Sequence, residues 1–157
     1  MKIITLWQPW ASFISWGWKS IETRTHIRFR HLIGQTIGIH AGKVWDKNWI
    51  KLTRDYLTAE QKIQTCRLHE IFDQENSDVR SSIICTAWVE SCNFLEKHHS
   101  ERALIDCEFT KRFGLFLPVI NLIRPIRIKG HQAHGIIMGR LFIYETYRLK
   151  SKVAINK

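Results

Sequence analysis

The opening of the chain switches between strand and helix periods. Lys2–Leu6 is a short β-branched and apolar run that predicts a strand. Pro9 follows, a residue tolerated in the first turn of a helix because its missing N–H would have no partner there. Trp10, Phe13, Ile14 and Gly17 fall at i, i+3, i+4 and i+7, one helical face, with Gly17 as the stop. Ser20–Thr25 then alternates Ile21 and Thr23 against Ser20, Glu22 and Arg24. That period of two puts Glu22 and Arg24 on one strand face, about 7 Å apart along it.

The pattern is less regular further on. His26–His31 is basic and aperiodic and reads as a loop, and Gln35–Ala41 returns to strand character before Gly42. Trp45, Trp49, Leu52 and Tyr56 have helical spacing, predicting a helix within Lys43–Tyr56. Thr58-x-x-Gln61 has the form of a capping box opening a second helix through Ile63, with Phe72 as its furthest end. Asp73–Ser81 is an acidic loop, and Ser82–Phe94 is the longest strand candidate. Glu96–Thr110 reads as a loop with a helical turn at Glu101–Ile105. Pro118 interrupts the apolar run Phe113–Ile123, marking an edge strand, a bulge or two pieces. Ile126–Lys129 alternates into a turn at Gly130-His131-Gln132, Ile136–Tyr144 is a last strand, and the end of the chain is a basic tail. Scattered strands with helices between the third and fourth predict an α+β domain on a small mixed β-barrel, residues 1–146, followed by a disordered tail at 147–157.

Composition narrows the function classes. At 157 residues the chain can bury a core of its own. It has no apolar run near the roughly 18 residues of a membrane span and no secretion signal at its start, so a cytoplasmic, monomeric protein away from the membrane is expected. The four cysteines, Cys66, Cys85, Cys92 and Cys107, have neither metal-site nor redox-pair spacing and are expected to be reduced thiols. The net charge of +10 is uneven: +7 over Met1–Arg54, −6 over Asp55–Thr110 and +9 over Lys111–Lys157. If the two basic ends meet in the fold, they form one positive surface suited to phosphates.

Motifs for metals, phosphate loops and nucleophile elbows are missing. His98-His99 and His131/His134 lack neighbouring carboxylate or cysteine ligands and read as loop histidines. The segment Lys19, Ser20, Glu22, Thr23 holds residue types of nucleophilic catalysis, but by itself fits a half-exposed charged strand better. The seven tryptophans are more than one small core requires. Trp10, Trp45 and Trp49 have helix-face spacing, whereas Trp7, Trp16 and Trp18 are less well explained by burial. Aromatic rings beside basic residues are the common arrangement for stacking unpaired bases.

The stretches Leu6-Trp7-Gln8-Pro9-Trp10-Ala11-Ser12, Gly17-x-Lys19-x-Ile21-Glu22-Thr23-Arg24 and Ile39-His40-Ala41 resemble the ASCH domain, a branch of the PUA-like superfamily. Phe113-Gly114-x-Phe116-Leu117 and Pro125-Ile126-x-Ile128-Lys129-Gly130-His131-Gln132 match more loosely; Asp55–Thr110 and the tail carry no match. The resemblance implies a PUA-like pseudo-barrel with flanking helices and a cleft for RNA or a modified nucleoside. It implies Lys19, Glu22 and His40 as catalytic groups, and Trp7, Gln8, Trp10, Trp18, Arg24, Lys43, Lys129 and Gln132 as ligand contacts. Lys19 and Arg24 would hold phosphate or a carbonyl oxygen, Glu22 would accept from a base or act as acid/base, and Trp7 or Trp18 would be the platform. Some relatives are amidohydrolases with a threonine three residues after a lysine; here Glu22 stands there. Others are ribonucleases. The expectation is an RNA-binding domain with cleavage of single-stranded RNA as a candidate activity, the alternatives being a nucleoside amidohydrolase or a non-catalytic reader. No cofactor is expected, and a divalent metal for cleavage stays open.

Overall fold

A computed structural model describes residues 1–75, 77–108 and 111–128. The expectations for Lys129, Gly130-His131-Gln132, His134, the strand Ile136–Tyr144 and the tail lie outside the described residues. The architecture is α+β, as expected: two sheets with short helices against them. Among the described residues the sheets do not close into a barrel.

The first sheet has four strands: β1 (Lys2–Gln8), β3 (Thr36–Trp45), β4 (Ser82–Trp88) and β7 (Val119–Arg127), in the order β1-β3-β4-β7. β1 and β3 run parallel, so a crossover must join them. That crossover contains helix α1 (Trp10–Ser15) and β2 (Ile21–Arg24). The second sheet has the order β2-β6-β5, with β5 at Ser91–Phe94 and β6 at Phe113–Phe116.

The two runs expected as long strands both bend at one corner. Ser82–Phe94 breaks at Val89-Glu90, and Phe113–Ile123 breaks at Leu117-Pro118. Each passes from one sheet to the other, and Glu90 N–H donates to Phe116 C=O across the corner at 2.9 Å. Pro118 therefore divides its run into two pieces. Pro125 sits in β7, the edge of its sheet among the described residues, where a missing donor does least harm.

Between β3 and β4 lie α2 (Trp49–Leu52) and α3 (Ala59–Phe72). The capping box of α3 is formed: Thr58 Oγ1 accepts from Gln61 N–H, and Gln61 Oε1 accepts from Thr58 N–H. The expected helix within Lys43–Tyr56 is a correction, because β3 continues through Trp45 and only Trp49–Leu52 is helical. Trp45 packs on His69 and Phe72 of α3, which holds the strand extended past its expected end. His26–His31, expected to be a loop, overlaps a 3-10 turn over Arg28–Leu32. A single turn, α4 (Ser100–Ala103), overlaps the expected Glu101–Ile105 turn.

The core has three parts. Ile4, Leu6, Ile37, Ile39, Cys85 and Leu115 belong to the largest, between the sheets. Ile21, Leu95 and Phe116 form a second, and Phe13 centres a third with Trp49, Leu57 and Leu104. All four cysteines are free; Cys66 is exposed and the others are buried. Burial pushes the Cys85 thiol up to about 12, so it is a packing group.

Candidate functional site

Helix α1 fixes where the polar site begins. Gly17 ends it with a positive φ of 75°, a conformation glycine adopts without the Cβ clash of other residues. The chain then turns back so that both Trp18 N–H and Lys19 N–H donate to Phe13 C=O, at 2.9 and 3.0 Å. Lys19 is thereby placed just before β2 with its side chain inside the protein, 1% exposed.

Three charged groups follow one another inward from the surface. Arg24 Nη2 lies 3.4 Å from Glu22 Oε1, and Glu22 Oε2 lies 3.8 Å from Lys19 Nζ. The alternation along β2 thus has the expected consequence, since Glu22 and Arg24 share a face and meet. Lys19 Nζ donates to Ala103 C=O, the last carbonyl of α4, at 2.7 Å. Trp10's ring lies 5.5 Å from the same nitrogen. Burial pulls the Lys19 amine below its ordinary value, and Glu22 partly opposes this. Arg24 Nε is buried and makes no hydrogen bond among the described residues.

These side chains line a pocket of about 260 Å³. Thr5, Leu6 and Trp7 of β1 and Trp10 of α1 line it together with Lys19, Glu22, Thr23 and Arg24. Asp46, Leu52, Ile105 and Arg112 complete it. Asp46 accepts from Trp10 Nε1–H at 2.8 Å, so it fixes the indole plane. Arg112 comes from the C-terminal basic block and Lys19 and Arg24 from the N-terminal one. β2 pairs with β6, which brings Arg112 of the C-terminal block to the same pocket as Lys19 and Arg24.

The expected site residues separate into two groups. Trp7, Trp10, Lys19, Glu22 and Arg24 are brought together in the pocket lining. Trp7 is 56% exposed, leaving its ring free. Gln8, Trp18, His40 and Lys43 do not line it. Gln8 is fully buried: its Nε2 donates to Val79 C=O at 2.8 Å and its Oε1 accepts from Ser12 N–H at 3.1 Å. The glutamine ties α1 to the loop before β4. Trp18 stacks on Phe13 and packs against Trp16, so both tryptophans are occupied in the third core cluster. His40 sits within β3, its Nδ1 2.9 Å from Thr5 Oγ1, and reaches the pocket wall only through that threonine. Burial lowers its proton affinity, with the Ser81 backbone opposing. Lys43 is exposed elsewhere on β3.

Sequence reasoning did not find Arg112, Asp46 or Ile105. They come from segments with no local motif, and only the charge of the C-terminal block pointed toward Arg112. Among the described residues no group of three or more His, Cys, Asp or Glu side chains could hold a metal ion. No described helix is long and apolar enough to cross a membrane.

The fold and site define a mixed α+β domain whose two sheets meet beside a small basic and aromatic pocket. No protein-family model matches the chain, and no curated protein does. Among solved structures it is similar to the crystal structure of ASCH from Zymomonas mobilis, at 19% identity over 81% of this chain and 73% of that chain, with a TM-score of 0.48. Two mutants of the same Zymomonas mobilis protein match at 18% and 20% identity, covering 81% and 80% of this chain and 75% and 72% of theirs, with TM-scores of 0.47 and 0.46.

Proposed function

We propose that the chain is an ASCH-type domain that binds single-stranded RNA, taking one nucleotide into the pocket beside Lys19. The observation that supports this most is the convergence of Lys19, Arg24 and Arg112 with Trp7 and Trp10 around one cavity. Cations supply phosphate attraction and the exposed indole of Trp7 supplies a stacking face. The cavity, about 260 Å³, falls below the roughly 300–1,000 Å³ of drug-sized ligand sites. A base or nucleoside is the scale of group it suits.

Cleavage is the finer form of this reading. Burial lowers the proton affinity of the Lys19 amine, which is the direction that favours a lysine as a general base. In that step the 2′-hydroxyl oxygen bonds to phosphorus, its proton passes to the Lys19 amine, and the 5′-oxygen leaves and takes a proton from water. Glu22 orients Lys19, and Arg24 and Arg112 offset charge growing on the phosphate. The test is incubation of labelled RNA and the DNA of the same sequence with wild type, Lys19→Ala and Arg112→Ala. The expected result is binding that weakens steeply with salt, with RNA-only cleavage about 10²- to 10⁴-fold slower in Lys19→Ala. Intact RNA after long incubation would leave a binding module, and salt-independent binding would remove the RNA reading itself.

One observation favours a second reading. Thr23 lines the same pocket as Lys19 and Glu22, a combination compatible with amide hydrolysis on an acylated nucleoside. Turnover of acetylated cytidine that disappears in Lys19→Ala and Thr23→Val would promote it.

A further inference from the structure

A pocket for one nucleotide leaves the rest of an RNA strand outside, and the surface next to Arg24 has the features to hold it. Between Glu22 and Asp46 the chain contains no acidic residue. His26, Arg28, Arg30 and His31 are exposed there, around a half-buried Phe29. The rings are ordered relative to one another. His26 stacks on Phe29 with centroids 5.3 Å apart and planes at 26°, and His31 lies 6.5 Å from Phe29 with planes at 27°. The His31 ring is held by the local backbone: its Nδ1–H donates to Arg28 C=O at 2.7 Å, and Gln35 Nε2 donates to the His31 C=O at 2.7 Å. Arg24 connects this strip to the pocket. It lines the cavity, and its guanidinium carbon lies 4.9 Å from the centre of the Phe29 ring.

We infer that the Arg28–Leu32 turn and the His26–Phe29–His31 stack form a second subsite, which carries the nucleotides flanking the one in the pocket. This rests on the RNA reading above. The exposed imidazoles of His26 and His31 are the stacking faces, and Phe29 sets their planes. Arg28 and Arg30 supply cations for two backbone phosphates, with no carboxylate nearby in sequence to compete. Because the rings are already aligned in the protein, little ordering has to accompany binding. A base stacked on such a platform contributes roughly tenfold in affinity, or more. Two phosphate contacts to a single strand steepen the dependence of log affinity on log salt by about 1.4.

The test compares a ten-nucleotide and a two-nucleotide RNA, the first by fluorescence anisotropy over a salt series and the second by NMR titration. The variants are Arg28→Gln/Arg30→Gln and His26→Ala/His31→Ala, with melting curves to check the fold. For the decanucleotide, affinity should fall at least tenfold in either double variant, and the salt slope of the arginine variant should drop by about 1.4. For the dinucleotide, affinity should stay within twofold of wild type. An unchanged decanucleotide affinity overturns the subsite, as does an equal loss for both lengths. Should the histidine variant melt early, the arginine variant, altered only at exposed side chains, decides the question. Wild type binding the dinucleotide with no gain for the decanucleotide would leave the pocket reading standing and remove this one. Equal binding to anionic lipid vesicles would reassign the strip away from RNA.

Discussion

Each of the two sheets has a buried basic side chain associated with it, and in both cases burial lowers that group's affinity for a proton. Lys19 precedes β2 of the three-stranded sheet, and His40 lies within β3 of the four-stranded one. Their surroundings differ. Lys19 opens on a cavity and continues outward through Glu22 and Arg24. His40 has Thr5 beside it and does not face the cavity. Burial and a shifted proton affinity are thus shared by a residue that lines the cavity and one that does not. What distinguishes them is whether charged neighbours lead from the buried group to open space.

The strongest way to break this comparison is to remove the middle of the charged series. Glu22→Ala leaves Lys19 without its carboxylate and Arg24 beside an empty position. Removing one partner of a buried pair costs about 3–5 kcal/mol, and the lower end applies because Arg24 is 24% exposed. Urea denaturation should show a loss near 3 kcal/mol. A loss below about 1 kcal/mol would mean that the series is solvated and that Lys19 is not held by Glu22.

A purely steric change should come next in size and act on the same sheet. Gly114 of β6 lies opposite Thr23 of β2. A Cβ there would stand 2.5 Å from Leu95 Cδ2 and 2.6 Å from Ile21 Cγ2. Both neighbours are at most 1% exposed, so neither has room to give way. Overpacking of this kind costs about 1–3 kcal/mol, and Gly114→Ala should show it in urea denaturation. RNA affinity should fall with it, because β6 supports the strand that carries Glu22 and Arg24. Unchanged stability would show that this wall is looser than its packing indicates.

How much of this could be read in the sequence depended on whether the deciding contact was local. The alternation along Ser20–Thr25 and the capping box at Thr58 involve residues within four positions of each other, and both are present. Trp45 kept helical spacing with Trp49, but its contacts to His69 and Phe72, more than twenty residues away, hold it on a strand. Val89-Glu90 looked like the middle of one strand because a corner between two sheets has no marker other than its partner, Leu117-Pro118. Gln8 was the most misleading site candidate. A conspicuous polar residue in a motif reads as a ligand group, yet Val79 C=O and Ser12 N–H use its amide. Arg112 gave no signal beyond the charge of its block, and whether the basic ends meet was a tertiary question.

The two buried bases can also be separated by pH. In each case the folded state binds its proton less readily than the unfolded chain does, so the unfolded chain carries more protons and stability rises with pH. The windows differ. For Lys19 the rise runs from its lowered folded value up to the ordinary 10.5, with Glu22, Arg24, Arg112 and Cys107 as its charged or titratable neighbours. For His40 stability is complete above the ordinary 6.5 and declines as pH falls toward the lowered value. Thermal melting across pH 4–10 in Lys19→Met should therefore lose the alkaline rise and keep the acid decline, whereas His40→Gln should do the reverse. Identical profiles for the two variants would end the distinction drawn between these groups.

The smallest effect is expected at the contact between His40 and the pocket wall. Thr5→Val keeps the shape of the side chain and removes the hydroxyl that lies 2.9 Å from His40 Nδ1. A net hydrogen bond contributes about 0.5–1.5 kcal/mol, so urea denaturation should register a loss close to 1 kcal/mol. If His40 is a packing residue, RNA affinity and any cleavage should stay within about twofold of wild type, because Lys19, Glu22, Arg24 and Arg112 are untouched. A hundredfold loss of cleavage at preserved stability would place the Thr5–His40 pair in the chemistry. It would also show that a buried base can reach the cavity through one hydroxyl, without the charged series that marks Lys19.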